Sequence, residues 1–154
     1  MRKSRLTLLD KDLNIINSKA FKPIDSYLPF KLLEIDNGYV IVGNVESERT
    51  IPYLYFINKN LSIRKSLSYH YEPEHYQFKN NFKINDIYSI SSNTFIATGS
   101  EGNTTDITNI IFTLNEDKLL KHKLFDSSGL WGNNCIVYLS PNLFAFFEDV
   151  VKNE

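Results

Sequence analysis

Hydrophobic and polar positions recur along this chain in two alternating patterns. Three segments consist of an apolar run, a short turn rich in Asp, Asn or Lys, and a second, more polar run, at 6–21, 54–69 and 111–125. Three other segments join two apolar runs through a tight turn, at 30–42, 87–99 and 136–147. The patterns alternate from the first segment to the last, so the sequence predicts an internal repeat built from hairpins.

The first pattern carries turn residues at a constant position. Its copies align on Leu9, Ile57 and Leu114, and the residue that follows is Asp or Asn in all three. Such side chains hydrogen-bond to nearby backbone and tolerate left-handed conformations, so they mark a turn between two strands.

The second pattern aligns on Gly38, Asn93 and Asn142. Asn37 and Gly38 both accept a positive φ, and an Asn-Gly pair between apolar runs is a strong hairpin signal. Each pair of consecutive patterns therefore predicts four strands in about 50 residues.

The predicted strands differ in polarity. Nearly continuous apolar runs occupy 39–42, 53–57, 110–114 and 143–147, which indicates strands buried on both faces. The closing strands at 15–21, 63–69 and 120–125 are rich in Lys, Arg, Ser and Asn. We therefore expect only the last strand of each unit to be exposed to solvent, as in a sheet stacked between two neighbouring sheets.

In this four-stranded repeat, the chain resembles the β-propeller superfamily over essentially its whole length. The sequence contains no Trp-Asp dipeptide and no kelch double glycine, so the resemblance concerns architecture. It implies an all-β fold made of propeller blades, and it implies no activity.

The order of the patterns divides the strands among three blades. Segments 30–69 and 87–125 form two complete blades, while 6–21 and 136–147 supply the outer and inner halves of a composite third blade. Propellers typically hold roughly four to eight blades, so we expect a homodimer that forms a six-bladed ring. The alternative is that the chain is a fragment of a longer propeller completed by another chain.

Composition narrows the class of protein. The 154 residues are expected to form one domain spanning 1–154, with 42% hydrophobic and 14% aromatic residues. A net charge of −1 argues against nucleic-acid and anionic-membrane partners. The single cysteine, Cys135, excludes an intrachain disulfide, and no apolar stretch approaches the roughly 20 residues of a membrane-spanning helix. These features predict a cytoplasmic protein.

Loops at one end of the predicted ring are the candidate binding face. They comprise 25–29, 44–52, 70–85, 100–108 and 126–134. The richest stretch contains His70, Tyr71, Glu72, Glu74, His75 and Tyr76. His70 and His75, with nearby carboxylates, could bind a transition metal, although their spacing matches no standard zinc motif. The alternative is a polar loop whose tyrosines cover the edge of a blade.

Trp131 is the second candidate. It is the only tryptophan, and it lies between Gly129 and Gly132 in a predicted face loop. It could stack on a sugar, a base or a side chain of a partner, or it could plug the space between blades. With Tyr71, Tyr76, Glu72 and Glu74 it makes up the predicted binding set.

No nucleophile elbow or Gly-rich phosphate loop occurs, and Cys135 opens a predicted inner strand, where a small buried side chain is expected. We therefore predict a non-catalytic binding module without a cofactor, such as an adaptor, inhibitor or immunity-type protein, that holds a protein or peptide. The alternative function is a small-ligand or glycan-directed enzyme or lectin with a site on the axis.

Overall fold

A computed structural model describes residues 3–46, 50–68, 82–91, 93–103, 106–115, 119–125, 135–140 and 143–147. These residues form twelve β-strands, and no helix occurs among them, which confirms the all-β prediction for the described part of the chain. The strands are β1 (Ser4–Leu9), β2 (Ile15–Phe21), β3 (Tyr27–Ile35), β4 (Gly38–Glu46), β5 (Thr50–Asn58), β6 (Ile63–Ser68), β7 (Phe82–Ser91), β8 (Thr94–Asn103), β9 (Asp106–Asn115), β10 (Leu119–Phe125), β11 (Cys135–Ser140) and β12 (Leu143–Phe147).

Every strand pairs antiparallel with its neighbour in sequence. Strands β3 to β6 form one four-stranded sheet, here called sheet A, and β7 to β10 form a second, sheet B. Strands β1 and β2 form the N-terminal hairpin, and β11 and β12 form the C-terminal hairpin, each as a separate two-stranded sheet. The two complete four-stranded units predicted from the repeat are therefore present.

Sheet A packs face to face on sheet B through an apolar core. Sheet A contributes Val40, Val42, Leu54 and Phe56, and sheet B contributes Ile84, Ile87, Phe95, Ala97 and Leu114. The rings of Phe56 and Phe95 lie 6.2 Å apart across this contact. Burial of each such side chain stabilises the fold by roughly 1.5–3 kcal/mol, so this contact holds the two sheets together.

Polar groups connect the inner strands of successive units. The side-chain amide of Asn44 donates to the carbonyl of Ile84 and accepts from its N–H, both at 3.0 Å. The carboxylate of Asp86 on β7 accepts hydrogen bonds from Nζ of Lys31 on β3 at 2.5 Å and from the N–H of Ile136 on β11 at 3.1 Å. One side chain therefore joins sheet A, sheet B and the C-terminal hairpin.

The N-terminal hairpin covers the outer half of the other face of sheet A. Phe21 packs edge-on against Tyr55 at 5.7 Å, and Tyr55 packs against Tyr27 at 5.1 Å. The hydroxyl of Tyr27 donates to the carbonyl of Ile41, and that of Tyr55 accepts from the N–H of Ile24. Burial raises the pKa of Tyr27 far above its ordinary value, and burial also raises the pKa of Tyr55.

The turns of the first pattern repeat in atomic detail. Leu13, with a φ of 65°, donates its N–H to the carbonyl of Asp10, and Leu61, with a φ of 62°, donates its N–H to the carbonyl of Asn58. The two turns therefore share a left-handed geometry and a backbone hydrogen bond, at positions that the alignment of Leu9 with Ile57 makes equivalent.

The alignment of the second pattern was wrong by one residue. Tyr39 lies opposite Ile57 in sheet A, and Phe95 lies opposite Leu114 in sheet B, so Gly38 corresponds to Thr94 and not to Asn93. The reason is an additional register shift in β7, between Ser89 and Ser91, where β3 has none before its turn. In the C-terminal hairpin, Leu143 likewise takes the position of Gly38, as the first residue of its strand.

The predicted face loops are shorter than expected. Backbone pairing extends to Tyr27 with Val45 in sheet A and to Asn103 with Asp106 in sheet B. Much of the predicted loops at 25–29, 44–52 and 100–108 therefore belongs to strands. The apolar runs that located the strands, such as 39–42 and 53–57, are shorter than the paired strands β4 and β5.

Burial agrees with the prediction for the central strands and differs at the two ends of the stack. Strands β4 and β5 are buried on both faces, β2 is largely exposed, and β6 is half exposed. The expectation that only the last strand of each unit is exposed to solvent was wrong for two strands. Strand β3 is exposed along one face, and Leu143 of β12 is exposed. These strands lack a covering sheet on one side within the described part of the chain.

Alkaline pH should destabilise the protein through the buried tyrosines. An unfolded tyrosine has a pKa near 10, whereas the folded pKa of Tyr27 and Tyr55 is higher, so above about pH 10 the folded state keeps protons that the unfolded state releases. The free energy of unfolding should therefore be unaffected by these groups below pH 9 and should fall as the pH rises past 10.

Replacing Tyr27 by Phe should weaken this alkaline loss and cost roughly 0.5–1.5 kcal/mol at pH 7, because the hydrogen bond to Ile41 is removed. Urea denaturation between pH 7 and 11, at one protein concentration, measures both effects. An identical pH profile for the wild type and the Tyr27→Phe variant would contradict this account.

Candidate interaction surfaces

All binding and metal candidates chosen from the sequence lie outside the described residues. They are His70, Tyr71, Glu72, Glu74, His75, Tyr76 and Trp131. The structure does place the strands that flank them: residues 70–76 lie in sequence between β6 and β7, and Trp131 lies between β10 and β11. Both segments thus follow the last strand of one four-stranded sheet in the sequence, and the roles of the seven residues stay predictions.

Two features are absent from the part of the chain that the structure describes. It contains no group of three or more His, Cys, Asp or Glu side chains placed to hold a metal ion. It also contains no helix long and apolar enough to cross a membrane.

A pocket of about 250 Å³ opens between the N-terminal hairpin and the inner half of sheet A. It is lined by Ser4, Arg5, Leu6, Phe21, Pro29, Phe30, Lys31, Leu32 and Ile41. Most of these side chains are apolar, and Phe30 and Leu32 are exposed. An exposed apolar surface of this kind is typical of an interaction site.

The exposure of Leu32 contrasts with the burial of its equivalent in sheet B. Leu32 pairs with Ile41 on β4, and Ile87 pairs with Ala97 on β8, at the same position of the repeat. Leu32 is 46% exposed, whereas Ile87 is 0% exposed because sheet A covers it. Nothing in the described chain covers Leu32 in the same way.

The outer face of the N-terminal hairpin shows the same contrast. Leu9 and Leu13 are 48% and 76% exposed, whereas their equivalents Ile57 and Leu61 are 1% and 4% exposed. Ile57 and Leu61 belong to the core between sheet A and the N-terminal hairpin. Leu9 and Leu13 thus occupy positions that the preceding unit of the repeat would bury.

The C-terminal hairpin has one buried face and one open face. On the buried face, Ile136 packs into the protein, and the ring of Phe144 lies edge-on to Tyr88 of β7 at 6.2 Å. On the open face, Val137 and Leu139 are 48% and 56% exposed. By strand pairing, Val137 corresponds to Leu33, which packs against the core between the sheets.

Each terminal hairpin also ends in an unpaired strand edge. Within the described residues, β1 pairs only with β2, and β12 pairs only with β11. The equivalent strands β4 and β5 of sheet A pair with each other. An apolar strand with a free edge readily adds another strand, so β1 and β12 are sites for sheet extension.

The sequence predicted both hairpins, but it did not identify Leu9, Leu13 and Leu32 as surface residues. Their signal lies in the repeat, because each aligns with a residue that an adjacent unit buries in the interior of the stack. Apolar residues alone could not reveal this, since exposure depends on which copy of the unit is terminal.

No family model, curated protein or solved structure matches the chain. The fold and the surfaces described above are therefore the basis for any functional argument.

Proposed function

We propose that the protein is a non-catalytic interaction module whose strands form three blades of a β-propeller, closed into a six-bladed ring by two copies of the chain. The observation that carries the proposal is the contrast between the ends and the interior of the stack. Leu9, Leu13 and Leu32 are exposed, and the residues at the equivalent interior positions, Ile57, Leu61 and Ile87, are buried. This contrast supports a stack that continues beyond each end.

The two ends are complementary. The N-terminal hairpin corresponds to β5 and β6 of a complete unit, and the C-terminal hairpin corresponds to β3 and β4. One end therefore offers the outer half of a blade, and the other end offers the inner half. Two chains related by a twofold axis complete both composite blades at once.

The geometry of a ring favours two chains over one. Three sheets around one axis would be splayed by about 120°, which is too open for the face-to-face packing seen between sheets A and B. Six blades fall within the usual range of roughly four to eight. Burial of one aliphatic side chain is worth roughly 1.5–3 kcal/mol, so covering these leucines would add several kcal/mol to a typical stability of about 5–15 kcal/mol.

The binding surface of this module is the end of the ring where the longer connections emerge. In antiparallel meanders, the loops between the second and third strands and those between successive units leave from the same end. The loops that carry Trp131 and residues 70–76 are of the second kind. Aromatic side chains in such loops are suited to anchor a protein or peptide partner.

Partner binding can be tested with two variants. Replacing Trp131 by Ala should weaken binding at least tenfold, because truncation of an aromatic anchor commonly costs about 2 kcal/mol or more. Replacing Lys19 by Ala, an exposed residue of β2 outside these segments, is the matched control and should leave affinity unchanged. Immobilised wild type and variants would be exposed to extract of the native host, and the affinity of the recovered protein measured by calorimetry.

A discrete protein retained by the wild type and the Lys19→Ala variant but not by the Trp131→Ala variant is the expected result. Equal retention by all three proteins, or no retained protein at all, would overturn the proposed binding face.

The assembly can be tested on one strand. Leu32→Asp should dissociate the dimer, because it places a charge on the open face of β3 that the second copy covers. Leu28→Asp is the control: Leu28 is on the same strand and 41% exposed, but it pairs with Asn44, whose side chain faces β7. It therefore lies on the opposite face of the sheet from Leu32.

Sedimentation equilibrium should give a dissociation constant for the Leu32→Asp variant at least tenfold higher than that of the Leu28→Asp variant. Equal effects of the two substitutions would show that the open face of β3 is not the contact surface.

A further inference from the structure

We infer that the pocket beside the N-terminal hairpin is the docking site for the C-terminal hairpin of a second copy, whose β12 pairs with β1 in one defined register. This inference rests on the proposed ring and specifies which surfaces meet and which residues pair. The occupant of the pocket is a second copy of the chain, because the chain itself carries the hairpin that the repeat requires at this position.

The contact between sheet B and the C-terminal hairpin shows how one inner hairpin stacks on another. There, Tyr88 of β7 meets Phe144 of β12, and Ile136 is buried against the sheet. One step further along the repeat, Val137 takes the position of Tyr88 and Tyr39 takes the position of Phe144. The open face of the C-terminal hairpin should therefore lie over Tyr39, Ile41 and Leu32 of the second copy.

The pocket has the shape and chemistry for this occupant. Its apolar floor is formed by Leu32 and Ile41, and Leu6 and Phe21 of the N-terminal hairpin form one wall. The open face of the C-terminal hairpin presents aliphatic side chains, Val137 and Leu139. Apolar surface thus meets apolar surface on both sides, and each covers what the other leaves exposed to water.

The register follows from the two complete sheets. Val40 pairs with Phe56 between β4 and β5, and Ile96 pairs with Thr113 between β8 and β9, at equivalent positions. In the composite sheet, Ala145 corresponds to Val40, and Leu8 corresponds to Phe56. Ala145 of one copy should therefore lie directly opposite Leu8 of the other, with Cβ atoms roughly 4.5–5.5 Å apart.

Engineered cysteines test this register. In a Cys135→Ser background, Leu8→Cys combined with Ala145→Cys places two thiols opposite each other across the interface. The control pair, Thr7→Cys with Ala145→Cys, shifts the register by one residue and so points the thiols to opposite faces of the sheet. Both proteins are treated with a short thiol-bridging reagent, after circular dichroism has shown that they retain the strand content of the wild type.

The expected result is a covalent dimer, at least ten times more abundant for the Leu8/Ala145 pair than for the Thr7/Ala145 pair. Mixing the two single-cysteine variants should give the same covalent dimer, which shows that the link joins two chains. A link within one chain would overturn the second copy as the occupant, and equal linking of both pairs would overturn the register.

The failure of this inference is distinguishable from the failure of the proposed ring. If the unlinked protein is a dimer and neither pair forms a link, the docking site is wrong while the dimer remains. If the unlinked protein is a monomer, the proposed ring itself is wrong, and the inference fails with it.

Discussion

The structure depends on the burial of both faces of β4 and β5. Val40 and Val42 point into the core shared with sheet B, while Ile41 and Ile57 point into the core shared with the N-terminal hairpin. A strand that is apolar on both faces is stable only between two neighbours, because either face alone in water would forfeit the hydrophobic contribution of its residues. This constraint makes each sheet one unit of a stack, and the sheets and hairpins at the two ends of the stack need a covering surface as well.

Polar contacts set the alignment of the stacked sheets but are not the main source of their stability. Asp86 bridges Lys31 and the N–H of Ile136, and the amide of Asn44 satisfies both backbone groups of Ile84. These bonds join the inner strands of adjacent units, where a shift of one residue would exchange buried and exposed faces. Hydrophobic burial thus holds the sheets together, and the hydrogen bonds select their relative position.

Much of this architecture could be predicted from the sequence, since the Asp and Asn turns and the doubly apolar strands report local requirements. The turns at Leu13 and Leu61 are an example. In each, the residue with a positive φ donates a hydrogen bond to an Asp or Asn three residues earlier, and both positions recur in the aligned sequences. The additional bulge near Ser89 could not be predicted. A bulge depends on how two strands pair, and the sequence of a single strand contains little information about it. The open face of β3 was missed for a related reason: Leu32 and Ile87 are similar residues, and only their place in the stack distinguishes them.

In the proposed assembly, the exposed ends of the stack meet in a second copy of the chain. The most direct test is the mass of the wild-type protein in solution at micromolar concentration, measured by light scattering or native mass spectrometry. The account predicts a closed dimer of twice 17.9 kDa, without larger species. A well-behaved monomer of 17.9 kDa that remains folded with its apolar ends in water would contradict it.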